Sequence, residues 1–170
     1  MLARTQEVAM KTLIVYDSAY GNTEQIARAV GHAVGDEVRV ALAGEVDAGD
    51  LKDYELVIVG SPTQGGRPTP LVKAFLQRIP AGSLKDTGVT AFDTRIDSAA
   101  QGFMLRTFMG ALGYAAGRIA RQLESKGGRL VTQPKGFFVE DKEGPLRSGE
   151  IERASAWGAT IVQASAGIGR

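Results

Sequence analysis

A short polar run suited to binding a phosphate lies at Ser18–Thr23, directly after an apolar stretch and before a helical pattern. Backbone N–H groups at the start of a helix are unpaired and point outward, so an anion there gains hydrogen bonds and the favourable end of the helix dipole. Ser18 and Thr23 add hydroxyl donors, Asn22 adds an amide, and Gly21 lets the backbone bend toward the anion. The run contains no Lys or Arg. It therefore predicts a phosphate pocket made of neutral dipoles, with an ordinary helix N-cap turn as the alternative.

Several other kinds of chemistry are absent from the sequence. The chain has no cysteine, which excludes disulfides, thiolate nucleophiles, iron–sulfur clusters and cysteine-ligated zinc, and the single His32 cannot build a histidine metal site. Neither the Gly-Lys-Ser/Thr of a nucleotide P-loop nor the Gly-x-Gly-x-x-Gly of a dinucleotide fold occurs. Asp93 and Asp97 are close in sequence, but loop carboxylates more often cap a helix or face solvent, so no catalytic acid–base pair is assigned. Any redox chemistry must come from a bound cofactor.

Length and composition indicate one globular domain. The 170 residues suffice for one well-filled core, and 44% hydrophobic with 23% charged residues is typical of globular proteins. Residues 1–10 show no hydrophobic period, so we expect a disordered extension there and a single domain over 11–170. No stretch reaches the roughly 18 apolar residues of a membrane span, and the N-terminus lacks the apolar core of a signal peptide. We therefore expect a cytoplasmic protein without a membrane span and without a nucleic-acid partner.

Strand and helix patterns alternate along the chain. The predicted strands are short apolar runs at Thr12–Tyr16, Val38–Ala41, Leu56–Gly60, Gly88–Phe92 and Gly136–Val139, the last one preceded by a ladder-like piece at Arg129–Thr132. The predicted helices are a first one that ends near Gly35, a short one at Asp50–Tyr54, and longer ones at Leu71–Ile79, Gly102–Lys126 and Ile151–Ala164. Such alternation predicts a three-layer α/β domain with a five-stranded parallel sheet, because each parallel connection needs a covering crossover.

Ligands of open α/β sheets bind outside the carboxyl ends of the strands. Three loops of this chain occupy such positions, namely Ser18–Thr23, Ser61–Pro68 and Asp93–Ser98. We expect these loops to form one ligand site.

Two of these segments resemble motifs of the flavodoxin family. Ser18-Ala19-Tyr20-Gly21-Asn22-Thr23-Glu24 is similar to the family's FMN phosphate loop, usually Ser/Thr-x-Thr-Gly-Asn-Thr, and Ile58–Thr63 is similar to its third strand and second flavin loop. The order and lengths of the elements agree from about Lys11 to the last helix. The resemblance implies a doubly wound, flavodoxin-like sandwich with strand order 2-1-3-4-5 and one bound FMN.

The resemblance also implies which residues hold the cofactor. The residues expected at the phosphate are Ser18, Ala19, Tyr20, Gly21, Asn22 and Thr23. The residues expected on one side of the isoalloxazine ring are Pro62, Thr63, Gln64, Gly65 and Gly66, and those on the other side are Phe92, Asp93, Thr94 and Arg95. The chain departs from the family in having no aromatic residue in Ser61–Pro68 and no Tyr after Phe92, and Tyr20 stands where Thr is more usual. Tyr20 or Phe92 is thus a candidate for stacking on the flavin, with local packing as the alternative, whereas Trp157 is expected in the core.

Charge adds an expectation about partners. Residues Gly60–Lys135 contain 11 Lys or Arg against 4 Asp or Glu, although the whole chain is nearly neutral. We expect an FMN-binding electron-transfer protein with an acidic redox partner or a small anionic substrate. We also expect Arg67 and Arg95 on the flavin loops to stabilise the reduced, anionic flavin. Two alternatives stay open, a flavin-dependent NAD(P)H:quinone-type reductase and a flavodoxin fold that has lost FMN and serves as an interaction module.

Overall fold

The computed structural model describes residues 9–97 and 113–167, which build an open sheet with helices on both faces. Its strands are β1 (Thr12–Tyr16), β2 (Val38–Leu42), β3 (Leu56–Pro62), β4 (Gly88–Ile96), β5 (Arg129–Leu130) and β6 (Lys135–Val139). Its α-helices are α1 (Asn22–Val34), α2 (Pro70–Arg78), α3 (Ala115–Ser125) and α4 (Glu150–Ala166). Two short 3-10 helices, Ala43–Glu45 and Ala48–Asp53, connect β2 to β3.

The sheet is parallel and has the order β2-β1-β3-β4-β5, which confirms the predicted order 2-1-3-4-5. The fifth position is shared by two segments. β5 pairs with the beginning of β4 at Gly88 and Val89, and β6 pairs with its end from Phe92 to Ile96. The segment predicted only as a ladder-like piece therefore contributes a short strand of its own, and the described sheet has six strands rather than five.

The apolar strands explain why helices cover both faces of the sheet. All five residues of β1 are buried, and neighbours along a strand point to opposite faces. Leu13 and Val15 belong to a core with α2 and α3, whereas Ile14 and Tyr16 belong to a core with α1 and α4. The same alternation occurs in β3. The result is a three-layer sandwich of helices, sheet and helices. No helix in the described part of the chain is long and apolar enough to cross a membrane.

The end of β4 differs from the prediction. The sequence pattern ended this strand at Phe92 and placed a ligand loop at Asp93–Ser98, but the strand continues to Ile96. Asp93 and Thr94 pair with the end of β3 on one side and with β6 on the other. The expected loop is thus mostly strand, and Ser98 lies outside the described residues.

The predicted helix Gly102–Lys126 also differs from the structure. α3 begins only at Ala115, because Gly113 has a positive φ of 75° and Tyr114 is extended. The helix prediction was therefore wrong at these two residues. The earlier part of that helix and the first eight residues of the chain lie outside the described residues.

Candidate functional site

The bend between β1 and α1 presents unpaired backbone donors. Gly21 is the N-cap of α1 with φ +87°, a left-handed conformation that favours glycine. Its N–H donates to Ser18 Oγ at 3.0 Å, which closes the bend. The backbone N–H groups that donate to no acceptor within the described part of the chain are those of Ala19, Tyr20, Asn22 and Thr23. These groups lie before or in the first turn of α1, where an anion can accept from them.

The side chains of Asn22 and Thr23 already have protein partners. Thr23 Oγ1 lies 2.8 Å from Thr94 Oγ1 in a buried contact that joins the start of α1 to β4. Asn22 Nδ2 donates to the carbonyl oxygen of Glu143 at 3.2 Å. Both side chains therefore hold the bend against neighbouring segments, which the sequence alone could not show.

The second predicted loop contains a tight hairpin. Gln64 and Arg67 face each other through two backbone hydrogen bonds of 2.9 and 3.1 Å. Gly65 and Gly66 form the turn with φ of +56° and +77°, and a type I′ turn needs positive φ at both central positions. Glycine at both positions thus favours this turn.

The hairpin is fixed to β4 and to the first turn of α3. Thr63 N–H donates to the carbonyl oxygen of Thr94 at 2.9 Å, and Thr63 Oγ1 accepts the N–H of Ala115 at 3.1 Å. Arg118 Nε donates to the carbonyl oxygen of Gly66 at 2.9 Å. The position of the hairpin therefore depends on where α3 begins.

Asp93 is fully buried and forms a bidentate ion pair with Arg95. The two contacts are Nε to Oδ1 at 2.6 Å and Nη2 to Oδ2 at 2.8 Å, and the N–H of Ala116 donates to Oδ2 at 2.9 Å. The ring centroid of Tyr114 lies 3.5 Å from the guanidinium carbon, and Gly136 packs so closely on the same group that a Cβ there would collide with it. Burial raises the pKa of Asp93, while the contacts from Arg95 and Ala116 oppose this rise.

Phe92, which was expected to line the ligand, lies in the core. Its side chain is fully buried and meets Phe137 and Trp157 edge to face, with ring centroids 6.2 and 6.1 Å away. Gly60 on β3 leaves room for the ring, because a Cβ there would collide with it. Trp157 is a core residue, in agreement with the prediction.

The bend, the hairpin segment and the end of β4 surround a cavity of about 480 Å³. The predicted site residues that line it are Ser18, Ala19, Tyr20, Asn22, Thr23, Pro62, Thr63, Gln64, Thr94 and Arg95. The predicted site residues that do not line it are Gly21, Gly65, Gly66, Phe92 and Asp93. Ile96, Val139 and Lys142 also line the cavity, although the sequence did not predict them.

The wall of the cavity carries positive charge. Its ionisable side chains within the described residues are Tyr20, Arg95 and Lys142, and no carboxylate lines it. Asp93 balances the charge of Arg95, whereas Lys142 stands on the loop between β6 and α4. A cavity with cations and unpaired N–H groups favours an anionic ligand.

The fold and the bend define an α/β protein with a cavity suited to a phosphate-bearing ligand at the carboxyl ends of its strands. The family model described as Flavodoxin matches residues 14–157. The chain therefore belongs to the flavodoxin family of FMN-binding electron-transfer proteins. A search of curated proteins finds no match.

Solved structures agree with this fold. A flavodoxin from the domain Archaea superposes with a TM-score of 0.66 at 22% identity, covering 92% of this chain and 99% of that chain. Flavodoxin 2 from Bacillus cereus gives a TM-score of 0.67 at 25% identity, covering 90% of this chain and 98% of that chain. The rubredoxin oxygen:oxidoreductase of Desulfovibrio gigas gives a TM-score of 0.69 at 23% identity, covering 92% of this chain and only 36% of that chain.

The residues of the cavity fit FMN, the cofactor of the family. Its phosphate needs donors and no nearby carboxylate, and the bend offers unpaired N–H groups on a wall that is free of carboxylates in the described residues. The cavity volume of about 480 Å³ also falls within the roughly 300–1,000 Å³ of small-molecule sites.

Proposed function

We propose that this chain carries electrons through one FMN, whose phosphate binds at the bend Ser18–Thr23 and whose ring lies between the hairpin segment and the end of β4. The observation that carries this proposal is the set of unpaired N–H groups at the start of α1, on the wall of the cavity. Ser18 contributes twice, because its Oγ accepts the N–H of Gly21 and its own hydroxyl proton is left for the anion. The helix dipole of α1 adds to the attraction.

The ring of FMN supplies the redox chemistry when the cofactor is bound, and the protein holds the ring and sets its surroundings. Pro62, Thr63 and Gln64 line one part of the cavity, and Thr94 and Arg95 line another. These residues support a ring site between β3 and β4.

Among the described residues, Tyr20 is the aromatic side chain that lines the cavity and suits contact with FMN. It lines the cavity and is 49% exposed, whereas the ring of Phe92 is fully buried in the core. An aromatic contact adds about 0.5–1.5 kcal/mol beyond burial. We therefore assign the aromatic contact to Tyr20 rather than to Phe92.

The charges beside the ring differ from the expectation drawn from the sequence. Arg95 contributes little net field, because the carboxylate of Asp93 is bonded to it at 2.6 and 2.8 Å. Arg67 on the hairpin and Lys142 on the cavity wall are exposed, and no ion pair within the described residues uses either of them. We assign the stabilisation of the reduced, anionic flavin to Arg67 on the hairpin. The same charges suit an acidic redox partner or a small anionic substrate.

A visible spectrum and a reduction titration of the purified protein test the proposal. We expect flavin absorbance, either as purified or after adding FMN, together with reversible reduction and almost no NAD(P)H-dependent turnover by the protein alone. Rapid NAD(P)H turnover would instead support the reductase alternative. A protein that binds no FMN would support the interaction module and contradict our proposal.

The variant Ser18→Ala tests the phosphate assignment. We expect its Kd for FMN to rise roughly tenfold, because a hydrogen bond to a charged group is lost and the bend loses the acceptor for Gly21 N–H. The matched control is Ser125→Ala, whose hydroxyl donates to the carbonyl oxygen of Gln122 at the end of α3. Equal affinity of Ser18→Ala and the wild type for FMN would contradict the assignment.

A further inference from the structure

We propose that Lys142 is the cation that binds the phosphate of FMN, so that the phosphate site is completed by the loop Glu140–Gly149 and is not purely neutral. The inference rests on the proposed function, because it concerns the same cavity. It adds a residue that lies 119 positions after the end of the bend and belongs to no motif in the sequence.

The loop that carries Lys142 is fixed next to the bend. The carbonyl oxygen of Glu143, the next residue, accepts from Asn22 Nδ2 at 3.2 Å. Gly144 follows with φ +101°, and a Cβ there would lie 2.7 Å from Asn22 Oδ1. Only glycine allows this close approach without strain. The two residues after Lys142 therefore pack directly on the first residue of α1.

The other end of the loop is fixed to the sheet. Arg147 N–H donates to the carbonyl oxygen of Phe138 at 2.9 Å, and Arg147 Nη1 lies 3.0 Å from Asp97 Oδ2. The N–H of Glu140 donates to the carbonyl oxygen of Pro145 at 2.9 Å. These contacts hold the loop on both sides of Lys142, and Lys142 lies beside the cavity.

The charge of Lys142 is available to a ligand. Lys142 lines the cavity together with Ser18, Asn22 and Thr23. It forms no ion pair within the described residues, and its one hydrogen bond there is from its backbone N–H to Asp141 Oδ1 at 2.7 Å. Arg95, the other cation of the wall, is bound to Asp93. Lys142 is therefore the cation of this wall whose charge no carboxylate in the described residues balances.

Lys142 would give the phosphate a positively charged hydrogen-bond donor, which the bend itself does not contain. The hydroxyl of Thr23 and the amide of Asn22 are bonded to protein atoms, so the remaining donors are mainly neutral N–H groups. A charge-assisted hydrogen bond from an ammonium group is roughly twice as strong as a neutral one. FMN carries a phosphate and riboflavin does not, so Lys142 should raise affinity for FMN alone.

The experiment compares FMN and riboflavin binding by the full chain at low and high salt. For Lys142→Gln we expect the Kd for FMN to rise roughly tenfold at low salt and to depend less on ionic strength than in the wild type. The Kd for riboflavin should not change. Lys142→Arg keeps the charge and should bind FMN within about twofold of the wild type. Flavin fluorescence quenching measures each Kd, and circular dichroism checks that the exposed substitution leaves the fold intact.

The matched control is Lys52→Gln, which makes the same change of net charge on an exposed lysine just before β3, at the opposite end of the sheet from the cavity. If Lys142→Gln binds FMN as the wild type does, the inference is wrong while the proposed function stands. If FMN and riboflavin weaken equally, Lys142 contacts another part of the cofactor and the inference is also wrong. If the wild type itself binds no FMN, the proposed function fails, and the inference with it.

Discussion

Replacing Arg95 with Gln leaves the carboxylate of Asp93 buried without its guanidinium partner. The side chain of Asp93 has no exposure and that of Arg95 is 18% exposed, so water cannot replace the two lost contacts. Removing one partner of a buried ion pair costs about 3–5 kcal/mol, because the remaining charge is uncompensated. We expect Arg95→Gln to lower the free energy of unfolding by that amount. With a urea dependence of about 2 kcal/mol per M, the urea midpoint falls by roughly 1.5–2.5 M.

The loss of stability should also grow with pH. Burial raises the pKa of Asp93 above its ordinary value of 3.8, and Arg95 is the main group that opposes this rise. Without Arg95 the pKa should rise further in the folded protein. A carboxyl with a raised folded-state pKa binds more protons folded than unfolded, so stability falls as pH rises from the unfolded pKa through the folded one. We therefore expect the free energy of unfolding of Arg95→Gln to fall more steeply above about pH 4 than that of the wild type.

Two further variants separate charge burial from simple loss of packing. Asp93→Asn combined with Arg95→Gln removes both charges and should recover most of the stability that Arg95→Gln loses. The matched control is Arg28→Gln, which breaks an ion pair with Glu24 on the exposed face of α1 and should change stability little. Urea unfolding at pH 5 and pH 8 measures all three variants. A double variant as unstable as Arg95→Gln, or a single variant insensitive to pH, refutes the reasoning.

Two pairs of glycine substitutions test the packing around the site. Gly60→Ala should lower the free energy of unfolding by about 1–3 kcal/mol in urea titrations, because the new Cβ would collide with the Phe92 ring. The control is Gly117→Ala, which should not destabilise the protein because the space around its Cβ is open. Unchanged stability of Gly60→Ala would contradict the close packing. Gly65 has φ +56°, so Gly65→Val should strain the hairpin and raise the Kd for FMN. Asparagine tolerates positive φ, so Gly65→Asn should bind FMN nearly as the wild type does. Equal affinity of these two variants would contradict a role for the turn.

Local patterns predicted the central strands and the bend well. Thr12–Tyr16 is apolar at every position, and a strand buried on both faces leaves that signature without reference to the rest of the chain. The bend Ser18–Thr23 was also predictable, since a helix start, a glycine and hydroxyl side chains are all local features. Both predictions needed only neighbours in sequence.

Features that depend on distant residues were not predictable in the same way. Asp93 looked like a loop residue because a carboxylate rarely lies inside a sheet, and only the contacts from Arg95 and from Ala116 on α3 allow its burial. Lys142 reaches the cavity because Asn22 binds the carbonyl oxygen of Glu143, a contact across 121 positions. Contacts between residues so far apart in the chain cannot be predicted from the spacing of residues in the sequence.

The alternation of side chains along β4 sends Phe92 and Asp93 to opposite faces of the sheet, where neither lines the cavity. Phe92 is buried against α4, and Thr94, two residues on, meets Thr23 at the start of α1. Asp93 and Arg95 point to the other face, where they meet the start of α3. The last residues of the strand, Thr94, Arg95 and Ile96, line the cavity from both faces of the sheet, whereas Phe92 and Asp93 are fully buried. β4 therefore contributes to the cavity only from Thr94 onward. The helices α1 and α3 begin beside the end of this strand, and they cover the side chains that come before Thr94.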